Sequence, residues 1–323
     1  MHFDSPKYSS ERLPPAPVSA PFGRGRAGLA LGYLRATLET VRPYQWVKNA
    51  LVFVPLAAAH RLADGRLLLA AAQAFAAFTL CAASVYVLND LIDAPADRLH
   101  PHKRNRPLAC GRLSRRLAWM LVPLLAGGAF AAGASLDIRV DGILALYCLE
   151  MLWYTLRLRT VVLLDALALA VGYALRVAAG AFAVHVLPSS WLLAFCVFLF
   201  FSLALIKRYA ELALLRGQDG AAAHARAYLL EDQELILALG VSTGALAVLV
   251  LALYLSAAHA EARYHEAGFI WVVCVLLLYW VSHMWLTAHR GRMTDDPLVF
   301  ALKNRVSRIL VVLMGVAAWM AVW

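Results

Sequence analysis

The sequence predicts an all-α protein, a polytopic membrane bundle of about nine transmembrane helices, on three observations. Of its 323 residues, 62% are hydrophobic and only 15% are charged, where a soluble domain carries about 25% charged residues. The apolar residues run on without a polar stripe, as in residues 66–88 and 191–206, and about 20 such residues are what a bilayer core requires of a helix. The basic residues fall on alternate sides of these runs, the pattern that orients membrane helices.

Taken in order, residues 1–27 are rich in Pro, Ser and Arg and lack an apolar h-region, so they are expected to form a disordered cytoplasmic tail, not a secretory signal. Residues 28–323 form a single domain, opened by an interfacial helix over 28–40. Apolar runs then place spans near 45–59, 67–88, 117–135, 142–156, 161–184, 191–207, 234–257, 269–288 and 306–323. Several are short for a bilayer, so their helices are expected to extend beyond the hydrocarbon or to tilt little.

With the N-terminus inside, the inside segments hold 25 Lys and Arg residues and the outside loops hold 4, the remaining one being Arg176 within the fifth span. This bias predicts N-in, C-out and an odd number of crossings, in the inner (cytoplasmic) membrane of a bacterium. The long polar loops 89–116, 208–233 and 289–305 all fall inside, so a site facing the cytoplasm is expected. The net charge of +10 is that of basic residues flanking apolar spans, which argues against a nucleic-acid partner. The five cysteines (81, 110, 148, 196 and 274) show no C-x-x-C spacing and suggest neither a disulfide framework nor a metal site.

The strongest chemical signal is the segment NDLIDAPAD, residues 89–97. Asp90, Asp93 and Asp97 stand at i, i+3 and i+7, which is one face of a helix. Three like charges on one face repel, and a divalent cation relieves them. Mg²⁺ suits the position because it takes one or two carboxylates together with phosphate oxygens and waters. Lys103, Arg104 and Arg106 follow within ten residues of Asp97, so acids for a metal stand beside cations for a phosphate. Past the sixth span, the segment IKRYAEL brings Lys207, Arg208 and Glu211, either a second phosphate site or a basic helix end at the headgroups. Lys48 is read either as a phosphate ligand or as a lysine snorkelling from the first span. Asp165 and Arg176 lie eleven residues apart in the fifth span, too far along the helix to pair, and Asp165 is placed near the substrate cavity. His100, His102, His283 and His289 have no metal-like spacing and carry no assigned role.

The run NDLIDAPADRLHPHKRNRPLACGRLS resembles the first signature of the UbiA prenyltransferase superfamily, with Asn89, Asp90, Asp93, Asp97, Arg106, Pro107, Gly111 and Ser114 in place. The resemblance implies a UbiA-like bundle in which Asp90, Asp93 and Asp97 coordinate Mg²⁺ on a diphosphate leaving group. Aromatic prenyltransferases of that superfamily carry a second Asp-rich motif after span six, which IKRYAEL replaces here. Together with RPYQWVKN (42–49), YTLRLR (154–159) and DPLVFALKNRVSR (296–308), this departure is similar to the decaprenyl-phosphate phosphoribosyltransferase branch.

That resemblance implies transfer of a phosphoribosyl group from phosphoribosyl pyrophosphate to a polyprenyl phosphate, with Mg²⁺ as cofactor, for a cell-envelope pentose precursor. The implied substrate-binding set is Lys48, Asn89, Lys103, Arg104, Arg106, Tyr154, Asp165, Lys207, Arg208 and Glu211. The expected partners are the two substrates and membrane lipid, with a homo-oligomer left open. Two alternatives stand beside it: an aromatic prenyltransferase using a prenyl diphosphate, and a lipid-phosphate binder or transporter without chemistry.

Overall fold

The computed structural model describes residues 26–99, 103–215, 224–225, 228–256, 267–293 and 296–321. The expected tail lies almost wholly outside the described residues, as do His100 and His102. Helix α1 (Arg26–Val41) covers the segment expected at an interface. It ends at Arg42, whose left-handed backbone (φ 53°) turns the chain into a 3-10 segment, Pro43–Phe53, with Pro43 in its first turn. The segment runs straight into α2 (Val54–Ala58). The first expected span is therefore not a regular α-helix.

Helix α3 (Gly65–Asp97) is capped by the Asp64 carboxylate, which accepts from the Arg66 and Leu67 amides. Helices α4 (Arg115–Ala134) and α5 (Ile138–Leu156) start in the same way from Ser114 and Asp137. After a single 3-10 turn (Leu158–Thr160) come α6 (Leu164–Ala183) and α7 (Ser190–Leu215). A two-residue hairpin pairs β1 (His224–Ala225) antiparallel with β2 (Tyr228–Leu229). Helices α8 (Gln233–Ser256), α9 (Ala267–His289), α10 (Pro297–Lys303) and α11 (Arg305–Met320) complete the chain.

Among the described residues six helices are long and apolar enough to cross a membrane: α3, α4, α6, α7, α8 and α9. The other three expected spans coincide with the 3-10 segment plus α2, with α5, and with α11. Length and hydropathy alone do not make these crossings. Helix α5 carries Arg139, Asp141 and Glu150, and α11 is only 16 residues long.

Two apolar cores meet at α6. One side of it (Ala166, Ala170, Ala174, Val177) packs with residues of α7, α8 and α9, including Leu203, Ala247 and Trp285. Leu175, Ala179 and Ala183 pack instead with Val52, Phe78, Leu144 and Tyr147. The small residues of α6 explain its central place, because they let neighbouring backbones approach closely without losing dispersion contact. The closest approach is at Gly180, where a Cβ would collide with the Val52 carbonyl. Gly180→Ala is expected to push the 3-10 segment off α6 and to lose about 1–3 kcal/mol of stability. A wild-type unfolding midpoint for this variant in detergent would count against that packing.

Arg176 ties the same segment to the bundle. Its guanidinium donates to Asn49 Oδ1 (2.8 Å), the Gly172 carbonyl (2.6 Å) and the Tyr147 hydroxyl (3.0 Å). It also lies over the Phe78, Tyr147 and Tyr173 rings at 4.7–5.5 Å. Arg176 and Asp165 thus have separate partners, as their spacing predicts. Fixing Asn49 also fixes the neighbouring Lys48.

Candidate active site

Helix α3 continues beyond its apolar stretch, so Asn89, Asp90, Asp93 and Asp97 all stand on its last turns. Asp90 and Asp97 are nearly fully buried. Each carboxylate meets an arginine from a different part of the chain. Arg42 Nη2 donates to Asp90 Oδ1 at 2.5 Å. Arg106 Nη1 reaches both Asp90 (3.3 Å) and Asp97 (2.8 Å). Arg159 Nη1 spans the two oxygens of Asp93 at 3.0 and 3.1 Å. The repulsion read from the sequence is relieved here by guanidinium groups.

The loop after α3 is built to hold Arg106 in place. Leu108 and Leu113 pack with Val87 and Leu91, Gly111 takes the left-handed conformation (φ 81°), and the Leu113 amide donates to the Pro107 carbonyl. Arg98 Nε donates to the Ala109 carbonyl from the α3 side. Lys103 and Arg104 stand exposed on a single 3-10 turn, Lys103–Asn105. Asn89 Oδ1 accepts from Thr155 on α5 (2.7 Å), which draws α5 and the following Arg159 toward the acids.

Among the described residues no three His, Cys, Asp or Glu side chains come together closely enough to hold a metal alone. The donors on α3 are nonetheless hard carboxylate oxygens on one face. They fit an ion that fills its shell with substrate phosphate oxygens and water, as Mg²⁺ does.

A second charged centre lies where the 3-10 segment, α7 and the start of α10 meet. Asp296 caps α10 by accepting from the Leu298 amide. Its other oxygen accepts from Lys48 Nζ at 2.8 Å and lies 3.9 Å from Lys207 Nζ. Burial would raise the Asp296 carboxyl, but the two lysines outweigh it and hold the group below the usual carboxylate range. Lys48 also sits 5.9 Å from the Tyr173 ring centroid. A cavity of about 540 Å³ opens beside this centre, walled by Tyr44, Gln45, Lys207, Glu211, Asp296 and Lys303 among others. Lys48 is thus not snorkelling to the surface; its ammonium points at a carboxylate.

Arg208 and Asp165 are placed differently from their expected substrate-facing role. Arg208 is fully buried, donating to Asp165 Oδ2 (2.6 Å) and Glu211 Oε2 (2.7 Å). Asp165 is fully buried as well, and its other oxygen accepts from the Tyr228 hydroxyl (2.5 Å). That hydroxyl in turn accepts from the Leu163 amide (2.9 Å). The correction follows from desolvation: a carboxylate facing an apolar interior takes the nearest buried guanidinium. Of this group, Glu211 and Lys207 reach the cavity wall. Tyr154, on the last turn of α5, is partly buried and within electrostatic range of Arg208.

Four residues of these centres lay outside the expected site: Arg42, Arg159, Asp296 and Tyr228. The first three stand inside the short motifs RPYQWVKN, YTLRLR and DPLVFALKN, which were the available signal. Tyr228 had none.

Six long apolar helices, with acids and arginines gathered at the end of one of them, are the build of an integral membrane protein with a site for a charged ligand. The chain belongs to the UbiA prenyltransferase family, whose profile it matches over residues 50–306. It is 36% identical over 285 residues to the nodulation protein NoeC of Azorhizobium caulinodans, covering 86% of this chain and 90% of that one. It is also 35% identical over 192 residues to the decaprenyl-phosphate phosphoribosyltransferase of Mycolicibacterium smegmatis, covering 58% of this chain and 60% of that one. One further curated relative is spanned over only 55% of its length. The fold superposes with a TM-score of 0.66 on a UbiA homologue from Archaeoglobus fulgidus bound to DMAPP and Mg²⁺, at 17% identity, covering 88% of this chain and 99% of that one.

Proposed function

We propose that this protein transfers a phosphoribosyl group from phosphoribosyl pyrophosphate to a polyprenyl phosphate, releasing pyrophosphate. The observation that carries the reading is the pair Lys48 and Lys207 beside the cavity. A lipid monophosphate calls for cations there, whereas a second Mg²⁺ would call for paired carboxylates. The name of the Mycolicibacterium relative supports the same assignment. An aromatic prenyltransferase is the competing reading, and the family as a whole is compatible with it.

In this reading Asp90, Asp93 and Asp97 hold Mg²⁺, which when bound neutralises charge on the departing diphosphate. Arg42, Arg106 and Arg159 stand on those carboxylates and would supply guanidinium groups to the phosphate oxygens of the same substrate. Asn89, Lys103, Arg104 and Tyr154 complete the donor side. Lys48 and Lys207 hold the lipid phosphate with one oxygen toward the anomeric carbon C1. That oxygen forms the new C1–O bond as the C1–O bond to the diphosphate breaks. The attacking oxygen is already ionised, so no general base is required. Asp165 and Arg208 support Glu211 at the cavity wall.

The proposal extends to topology. The 3-10 segment rises about 2.0 Å per residue, so with α2 it spans roughly 30 Å, enough for a bilayer core. With α5 and α11 counted as the remaining two spans, this reading has nine crossings, with the N-terminus and site cytoplasmic in a bacterial inner membrane. The product suits an envelope pentose pathway, and a homo-oligomer is compatible with it.

Purified protein with Mg²⁺, labelled phosphoribosyl pyrophosphate and a polyprenyl phosphate is expected to yield labelled lipid. Absence of that product, together with turnover of a prenyl diphosphate and an aromatic acceptor, would establish the competing reading.

A further inference from the structure

We infer that Asp296 sets the specificity of the Lys48–Lys207 centre, excluding a lipid diphosphate while admitting a lipid monophosphate. The inference rests on the reading above, in which this centre receives the lipid phosphate.

Three observations carry it. Asp296 is held rigidly, because Pro297 follows it and its Oδ1 is committed to the Leu298 amide. Its Oδ2 is the shared acceptor of both lysines, at 2.8 and 3.9 Å, so one fixed negative charge stands between two positive ones. The centre also lies at a boundary between polar and apolar walls. Lys207 and Asp296 face the open cavity on one side, and on the other they line a small crevice with Leu169, Leu203 and Ala204. An anion attached to a long apolar tail fits that boundary.

Charge balance then decides which anion. Arg208 is shared between Asp165 and Glu211, so that trio carries one net negative charge, which Lys303 on the cavity wall offsets; the two lysines and Asp296 are left with one net positive charge. A phosphate monoester carries about −1.5 to −2 near neutral pH, so it leaves this centre only slightly negative. A diphosphate adds a further phosphoryl group and meets the Asp296 carboxylate as an unpaired like charge. Discrimination by such a repulsive element is a common route to specificity, since it costs the preferred ligand less than the rejected one. At the α3 end of the site three acids are balanced by three arginines, whereas here a single acid stands between two lysines.

The test is binding, not turnover, so that it is separable from the reaction assay. Full-length protein in detergent is titrated with polyprenyl phosphate and with polyprenyl diphosphate of the same chain, without Mg²⁺. Wild type is expected to favour the monophosphate. Asp296→Asn, which keeps a good helix cap, is expected to tighten the diphosphate by about tenfold or more and to erase or reverse the preference. Asp296→Ser serves as the second variant should the asparagine protein fail to fold. An unchanged affinity ratio in a folded variant overturns the inference. Lys48→Ala and Lys207→Ala are expected to weaken both lipids. If neither does, the lipid-phosphate reading fails, and the inference fails with it. If those lysines matter but the ratio does not respond to Asp296, only the inference fails.

Discussion

Asp93→Ala is expected to lower kcat by about 100-fold or more while leaving the unfolding midpoint near that of wild type. Asp93 suits this test better than Asp90. Its partner Arg159 keeps 40% of its side chain exposed, so losing the pair returns that guanidinium to solvent at little cost in stability. Asp90 is almost fully buried between Arg42 and Arg106, and removing it strands Arg42, while Arg106 keeps Asp97. Asp90→Ala is therefore expected to lose both activity and stability. Phosphoribosyl-lipid formation and thermal unfolding, measured on both variants, separate the two roles. Near wild-type rates in both would remove the metal assignment from α3.

Asp165→Leu is expected to destabilise the fold by about 3 kcal/mol, the low end of the range for a broken buried pair, because the Arg208 guanidinium then keeps only Glu211 in a dry interior. Both side chains of that pair are 1% exposed. The double variant Asp165→Leu with Arg208→Leu is expected to recover most of the loss, since an apolar pair of similar volume replaces a buried ion pair at little cost. Denaturant unfolding of the singles and the double gives the coupling. A double variant no more stable than either single would indicate that Tyr228 and Glu211, not the ion pair, carry the stabilisation.

The helices were largely legible in the sequence, because each long span is an apolar run whose composition decides its environment. The 3-10 segment was not. Residues 45–59 are as apolar as an α-helix of that length, and their backbone lies against Gly180 on α6, a tertiary contact that no local pattern encodes. The continuation of α3 past residue 88 was legible in the helical spacing of Asp90, Asp93 and Asp97, but the groups that neutralise them were not. Helix through the acidic residues needs neutralising charge, and that charge comes from Arg42 and Arg159, which stand 48 and 66 residues away from the acids they meet. The spacing of Asp90, Asp93 and Asp97 was readable because it is local to one helix. The Lys48–Asp296 contact joins residues 248 apart, and no local pattern encodes it. Asp165 was misplaced for the same reason: its partners Arg208 and Tyr228 arrive from α7 and β2.

The arginines that meet the acids of α3 have a consequence for how a charged substrate approaches the site. An isolated patch of three aspartates would surround itself with a negative potential and slow the approach of any polyanion. Arg42, Arg106 and Arg159 cancel that charge at contact range, so little field remains a Debye length away. A polyanion, which in the proposed reaction is the sugar diphosphate, can therefore diffuse to the mouth of the site against little opposing field. The electrostatic cost is confined to the final few ångströms, where partners are exchanged.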